Sequence, residues 1–108
     1  LIPQLAPLDL ARWRGDASRD APVLVDVREP QEFAYCRIDG SLSIPLGEIA
    51  RRLAELPRDR PLVMVCHTGR RSQNAAMLLA EAGFADVQNL QGGVEAWALE
   101  VDPAVKRY

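Results

Sequence analysis

The sequence has 108 residues, 48% hydrophobic and 26% charged, the size and balance of one globular domain that buries its own core rather than of a disordered segment. Thirteen basic and fifteen acidic side chains leave a net charge of −2 with no long basic run, so neither nucleic acid nor a membrane surface is an expected partner, and no apolar stretch is long enough to span a bilayer. Two cysteines and one histidine cannot supply four zinc ligands, and no metal is expected.

The chain opens at Leu1 rather than Met, with Pro3 and Pro7 spacing its first residues. Residues 1–7 are expected to be a linker remnant, and the whole a single domain, processed or cut from a longer polypeptide. With no signal-peptide pattern and no need of a disulfide at this length, a reduced, cytoplasmic setting is expected. A short helix is predicted over Pro7 to Arg14. Val23-Leu24-Val25-Asp26-Val27 is a β-branched run after Pro22 and reads as a buried strand ending near Asp26. A second short helix follows from Pro30 to Tyr35. From Leu46 to Leu56 the residues Leu46, Ile49, Ala50, Leu53 and Leu56 fall on one stripe, predicting an amphipathic helix that ends before Pro57.

Pro61 to Cys66 reads as a second buried strand. Ser72 to Ala82 reads as a helix with Ala75, Leu78, Leu79 and Ala82 inward and Gly83 as its C-terminal cap. Asp86 to Leu90 is a shorter strand and Val94 to Leu99 a final short helix. Trp13 and Trp97 are expected to anchor short helices to the body, and Asp102 to Tyr108 to be a docking tail or a solvated end. Strands apolar on both faces and separated by helices predict a three-layer α/β domain, a mostly parallel sheet flanked by helices on both faces.

In such sheets ligands collect beyond the carboxyl ends of the strands. One strand ends in Asp26-Val27-Arg28-Glu29; another ends in Cys66-His67-Thr68-Gly69-Arg70-Arg71-Ser72 and runs straight into a helix. Backbone N–H groups at a helix start lack intrahelical partners and can converge on a sulfur atom at the strand's end. Gly69 permits the positive φ that a tight ring of amides needs, and Arg70, Arg71 and the positive end of the helix dipole favour an anion at its centre. A thiol so placed is expected to ionise more readily than a free one, whose pKa is about 8.5, making Cys66 an activated nucleophile. A cysteine that merely packed a strand end would have no use for a glycine and two arginines within five residues.

The loop from Cys66 to Ser72 resembles the Cys-x-x-Gly-x-Arg-Ser active loop of rhodanese-like sulfurtransferase domains. The likeness extends along the chain through Val25-Asp26-Val27-Arg28-Glu29 with Glu32-Phe33, Ile44-Pro45, and Gly92-Gly93 with Ala96-Trp97. Where many members carry Gly-His-Ile, this chain has Cys36-Arg37-Ile38. The resemblance implies that Cys66 attacks a sulfane-sulfur donor (thiosulfate or a cysteine desulfurase persulfide), carries the outer sulfur as a persulfide with no other cofactor, and yields it to an acceptor. It implies that the loop amides stabilise thiolate and persulfide, that His67, Thr68 and Arg70 face donor and acceptor, and that Arg71 is the family's loop arginine, touching substrate or tying the loop to the body. Tyr35-Cys36-Arg37-Ile38, Ile44 to Glu48 and Ala96 to Tyr108 resemble the sulfurtransferase domains fused behind adenylyltransferases of the molybdopterin and thiamine pathways. That likeness implies a fused adenylyltransferase and a ubiquitin-like sulfur carrier as acceptor.

Asp26 and Arg28 are expected to orient the loop through hydrogen bonds or an Arg28–Glu32 pair. His67 is expected at the rim, and Cys36 as a small packing residue or, less simply, a resolving thiol. The rival functions are a cysteine-dependent phosphatase or arsenate reductase and a non-catalytic binding module of the same fold. Phosphatase loops are one residue longer than the four residues, His67 to Arg70, that separate Cys66 from Arg71; the smaller ring suits one sulfur atom. Binding modules usually lose the cysteine, which is intact here.

Overall fold

The computed structural model describes residues 1–108. Its strands are β1 (Gln4–Leu5), β2 (Val23–Asp26), β3 (Leu42–Ser43), β4 (Leu62–Val65) and β5 (Val87–Leu90), joined by helices α1 (Pro7–Arg14), α2 (Pro30–Tyr35), α3 (Leu46–Ile49), α4 (Arg70–Glu81) and α5 (Gly93–Glu100). The strands form one sheet in the order β1-β5-β4-β2-β3, with every pair parallel. The expected three-layer α/β architecture is the one observed. No helix is long and apolar enough to cross a membrane.

Strand periodicity divides the core between the two faces. Successive side chains of a strand point to opposite sides, so Leu62, Met64 and Cys66 join Val25, Val27, Ala75, Ala76 and Leu79 on one face. Val63 and Val65 join Leu10, Trp13, Leu24, Val94 and Trp97 on the other. Both tryptophans anchor helices as expected. The same parity fixes the direction of Cys66: it points to the face covered by α4, whose N-terminus is the continuation of its own loop. From β2 the chain leaves through α2 to the β3 edge, and from β4 it leaves through α4 toward β5. The crevice between the ends of β2 and β4 is therefore a switch point of the sheet, where parallel folds place their ligands.

The structure corrects three expectations. Residues 4–5, assigned to a linker, are an edge strand: Asn89 N–H donates to Pro3 O at 3.0 Å and Gln91 N–H to Leu5 O at 2.9 Å. Two residues are too short to show strand periodicity. The helix predicted from Leu46 to Leu56 is broken into α3 and a 3₁₀ turn at Leu53–Glu55. Its bonds run from residue i+3 to i (Arg51 to Glu48, Arg52 to Ile49, Glu55 to Arg52), and of its apolar stripe only Ile49 and Leu56 are fully buried. Packing supplies most helical stability, and here it holds the two ends rather than the middle. The helix predicted from Ser72 starts two residues earlier, at Arg70, because Gly69 at φ +99° turns the chain directly into it.

Candidate active site

Cys66 stands one residue past β4 and is 1% exposed. Its sulfur lies at the bottom of the 66–72 loop rather than on open surface. Gly69 N–H donates to Sγ at 3.1 Å, and Ser72 Oγ lies 3.2 Å from it. The sequence suggested a converging set of amides; the cradle is one amide and one hydroxyl. Gly69 adopts the left-handed φ expected of it, and a Cβ there would stand 3.1 Å from the backbone nitrogen of Gly92.

The loop is held from behind by α5. Val94 N–H donates to Cys66 O at 2.9 Å and Glu95 N–H to His67 O at 3.1 Å, so the otherwise unpartnered N–H groups of one helix start satisfy the carbonyls of the loop that opens another. The close approach requires glycine at 93: φ is +60°, and a Cβ would overlap Cys66 O and lie 2.5 Å from His67 O. Gly92-Gly93 was part of the family likeness, but its task of admitting two loop carbonyls to a helix start was not read from the sequence.

Arg71 does not point into the ring. Its Nη1 and Nη2 donate to the two carboxylate oxygens of Glu32 at 2.7 and 2.9 Å, the loop-to-body tie that was one of its two expected roles. Glu32 also accepts from Glu29 N–H at 2.9 Å, closing the capping box of α2, and from Tyr108 OH at 2.7 Å. Arg71 chiefly, then Tyr108 and the Glu29 amide, hold the Glu32 carboxyl down at about 2 against the opposing effect of burial. The Arg71 guanidinium is correspondingly raised by Glu32, burial opposing.

Asp26 and Arg28 are fully buried. Arg28 pairs with Asp26, Nη2 to Oδ2 at 2.7 Å and Nε to both oxygens, rather than with the Glu32 carboxylate as one expectation had it. Glu32 is taken by Arg71, and Arg28 reaches α2 through carbonyls, Cys36 O at 2.6 Å and Glu32 O at 3.4 Å. Burial works to lower the pKa of Arg28, but its bonds to Asp26 and Tyr108 prevail and leave it raised. Cys36 is buried, with Arg28 Nη1 3.7 Å from its sulfur, and both cysteines are free thiols.

The tail folds back onto the site, although most of its residues, Tyr108 among them at 47%, stay exposed as a solvated end would. Tyr108 OH accepts from Arg28 Nη1 at 2.9 Å while donating to Glu32, and its ring stacks on His67 with centroids 3.9 Å apart and planes 10° from parallel. Burial first, and the Glu32 carboxylate after it, push the Tyr108 phenol up to about 12 although Arg28 opposes them. Arg107 pairs with Glu95 at 2.7 Å. His67 is half-buried beneath Tyr108, its Nε2 without a hydrogen-bond partner, and Thr68 and Arg70 are exposed at the loop's mouth. Behind the loop, Asn89 of β5 is 2% exposed and touches both Ser72 and Gly69. Sequence reasoning passed over it, although the amides of Gln88 and Asn89 inside an otherwise apolar strand are themselves a signal.

The profile of the rhodanese-like domain matches residues 8–100. The chain is 40% identical over 106 residues to the probable adenylyltransferase/sulfurtransferase MoeZ of Mycobacterium tuberculosis, a match covering 96% of this chain but 26% of that protein. It is 38% identical over 94 residues to the thiosulfate sulfurtransferase GlpE of Pseudomonas aeruginosa, covering 87% of this chain and 82% of the relative. A rhodanese-related protein from Thermoplasma volcanium superposes with a TM-score of 0.84 at 28% identity, over 98% of this chain and 99% of that one. The chain belongs to the rhodanese-like domain family, and along most of its length it matches the sulfurtransferases of that family.

Proposed function

We propose that this rhodanese-type sulfurtransferase carries sulfane sulfur as a persulfide on Cys66. The observation that carries the reading is the cradle itself: one sulfur atom at a strand end, met by Gly69 N–H and the Ser72 hydroxyl, in a loop of four residues between Cys66 and Arg71. In the first step the Cys66 thiolate attacks the outer sulfur of thiosulfate. A bond forms between Sγ and that sulfur, the sulfur–sulfur bond of thiosulfate breaks, and sulfite leaves with the electron pair. In the second step an acceptor nucleophile attacks the outer sulfur and the Cys66 thiolate leaves. Charge-assisted hydrogen bonds are about twice as strong as neutral ones, so the cradle favours the thiolate both as attacking and as leaving group. With Cys66 this deep, donor and acceptor meet it through the mouth bounded by Thr68 and Arg70, and Arg70 adds positive charge where anionic donors arrive.

The likeness to MoeZ supports a ubiquitin-like sulfur carrier as acceptor and an adenylyltransferase as the partner that activates it. The outer sulfur would then attack the activated terminal carboxyl carbon, expelling the adenylate. The resulting acyl disulfide would be resolved by a thiol reductant to the thiocarboxylate. A phosphatase reading is weakened by Arg71, whose two terminal nitrogens are both committed to Glu32 and not turned toward the ring. The test pairs two assays: thiocyanate formation from thiosulfate and cyanide, and hydrolysis of an aryl phosphate. Thiocyanate formation that is lost in Cys66→Ser, with no phosphate release, is expected; Cys66-dependent phosphate release without sulfur transfer would overturn the reading.

A further inference from the structure

The Ser72 hydroxyl has one proton and two acceptors within reach. Sγ of Cys66 lies 3.2 Å away and Oδ1 of Asn89 2.6 Å away. The orientation of the Asn89 amide is not free: Gly69 O, 3.0 Å from Nδ2, can only accept, so the nitrogen must face it and the oxygen must face Ser72. Nδ2 donates as well to Gln4 Oε1 at 2.8 Å, and Gln4 Nε2 passes on to Gln73 Oε1 at 2.6 Å. The shorter bond to Asn89 claims the Ser72 proton while Cys66 is a thiol, and the thiol S–H is free to donate to Ser72 Oγ.

From this geometry we infer that Asn89 is a positioning residue that sets the reactivity of Cys66 by competing for the Ser72 hydroxyl proton. The inference rests on Cys66 being the nucleophile and adds a control to it. When the thiol loses its proton to solvent, the Ser72 hydroxyl rotates so that its O–H, still intact, points to Sγ, and Asn89 Oδ1 gives up its donor. No bond to hydrogen is broken at Ser72. Ionisation of Cys66 therefore costs the buried Ser72–Asn89 hydrogen bond along with the weak one from the thiol to Ser72 Oγ, and what it gains is a charge-assisted one. Asn89 at the same time anchors Gly69, the other cradle donor, so the two functions of the loop meet in one amide.

The charged and titratable groups around the loop are His67, Arg70 and Arg71 on it, Asp26 and Arg28 at the end of β2, Glu32 on α2, Glu95 with Arg107, and Tyr108. β1 and β5 present only uncharged residues. None of these groups bonds to Asn89, whose side chain touches Ser72, Gly69 and Gln4, so the part of a shift that depends on Ser72 reports the hydroxyl.

The readout is the pH at which alkylation of Cys66 by iodoacetamide is half-maximal, followed by mass spectrometry in a Cys36→Ala background. Asn89→Leu, with the same branching and number of side-chain heavy atoms but no acceptor, is expected to move that midpoint down by about half to one pH unit, a threefold to tenfold gain in rate at neutral pH. Ser72→Ala is expected to move it up, and in that background Asn89→Leu is expected to lose its downward shift, any remaining change being upward from the freed Gly69. A midpoint unmoved or raised by Asn89→Leu, or a downward shift that persists without Ser72, would overturn the inference. If Asn89→Leu does not fold, the Asn89 side-chain amide signals in the ¹⁵N spectrum of the unsubstituted protein decide instead. They are expected to move through the same midpoint and to stop doing so in Ser72→Ala; signals that fail to move, or that move equally in Ser72→Ala, refute it. Sulfur transfer is measured separately, so a protein that alkylates as expected but forms no persulfide would count against the proposed function and not against this control.

Discussion

Gly93→Ala tests how the loop is held. A Cβ at this position would overlap Cys66 O and stand 2.5 Å from His67 O, and the backbone is at φ +60°. An L-residue in the left-handed region costs about 1–2 kcal/mol. The overlap is with backbone and cannot be relieved by a rotamer change, so α5 must retreat from the loop. That breaks the bonds from Val94 N–H to Cys66 O and from Glu95 N–H to His67 O, each contributing about 0.5–1.5 kcal/mol. The sum is about 2–5 kcal/mol, which lowers the urea midpoint by about 1–3 M for an m-value of about 1.5 kcal/mol/M. Gly15→Ala is the control: φ is −90° and an added Cβ meets only atoms at 3.7 Å, so its stability should stay within about 1 kcal/mol of the original. Sulfur transfer measured under folding conditions should fall in Gly93→Ala as well, because the released carbonyls let the Gly69 amide swing from the sulfur. A Gly93→Ala protein with the urea midpoint and transfer rate of Gly15→Ala would refute the reasoning.

Glu32→Gln removes the partner of Arg71. Because the carboxyl is held down at about 2, its contribution to stability is complete above the unfolded value near 4.5 and is lost as pH falls toward 2. With Arg71 partly exposed, the contribution is about 1–2 kcal/mol after screening. The difference in melting temperature between the two proteins should therefore be constant at neutral pH and close as the solution is acidified through that window. Tyr108→Phe keeps the stacking on His67 but deletes the hydroxyl between Arg28 and Glu32. It should cost about 1 kcal/mol in chemical denaturation, while Arg28 keeps its bonds to Asp26. Inserting one residue between Gly69 and Arg71 should impair sulfur transfer by enlarging the ring, and unchanged transfer would contradict the fit of that ring to a single sulfur.

What the sequence made legible were features with a strong local cause. The apolar runs at Val23 and Leu62 are buried on both faces and read as parallel strands. Pro7 and Pro30 start helices where a missing N–H costs nothing, and the Cys66–Ser72 segment combines a strand end, a glycine and a helix start. What escaped were features with a distant cause. Pairing of the chain's opening with β5 depends on a partner 85 residues away from Gln4, and the break after Ile49 depends on which positions the core happens to cover. Tyr108 reaches Glu32 across 76 residues and Ser72 reaches Asn89 across 17. None of these contacts leaves a periodic trace in the sequence. Glu32 is instructive, since a carboxylate near Arg28 in sequence belongs in space to Arg71.

That the sulfur of residue 66 takes and holds one more sulfur atom is tested most directly by incubation with thiosulfate, removal of the excess and intact-mass measurement. The expected result is a gain equal to one sulfur atom, reversed by cyanide or a thiol, absent in Cys66→Ala and retained in Cys36→Ala. A protein that gains no mass, or gains it equally in Cys66→Ala, would contradict it.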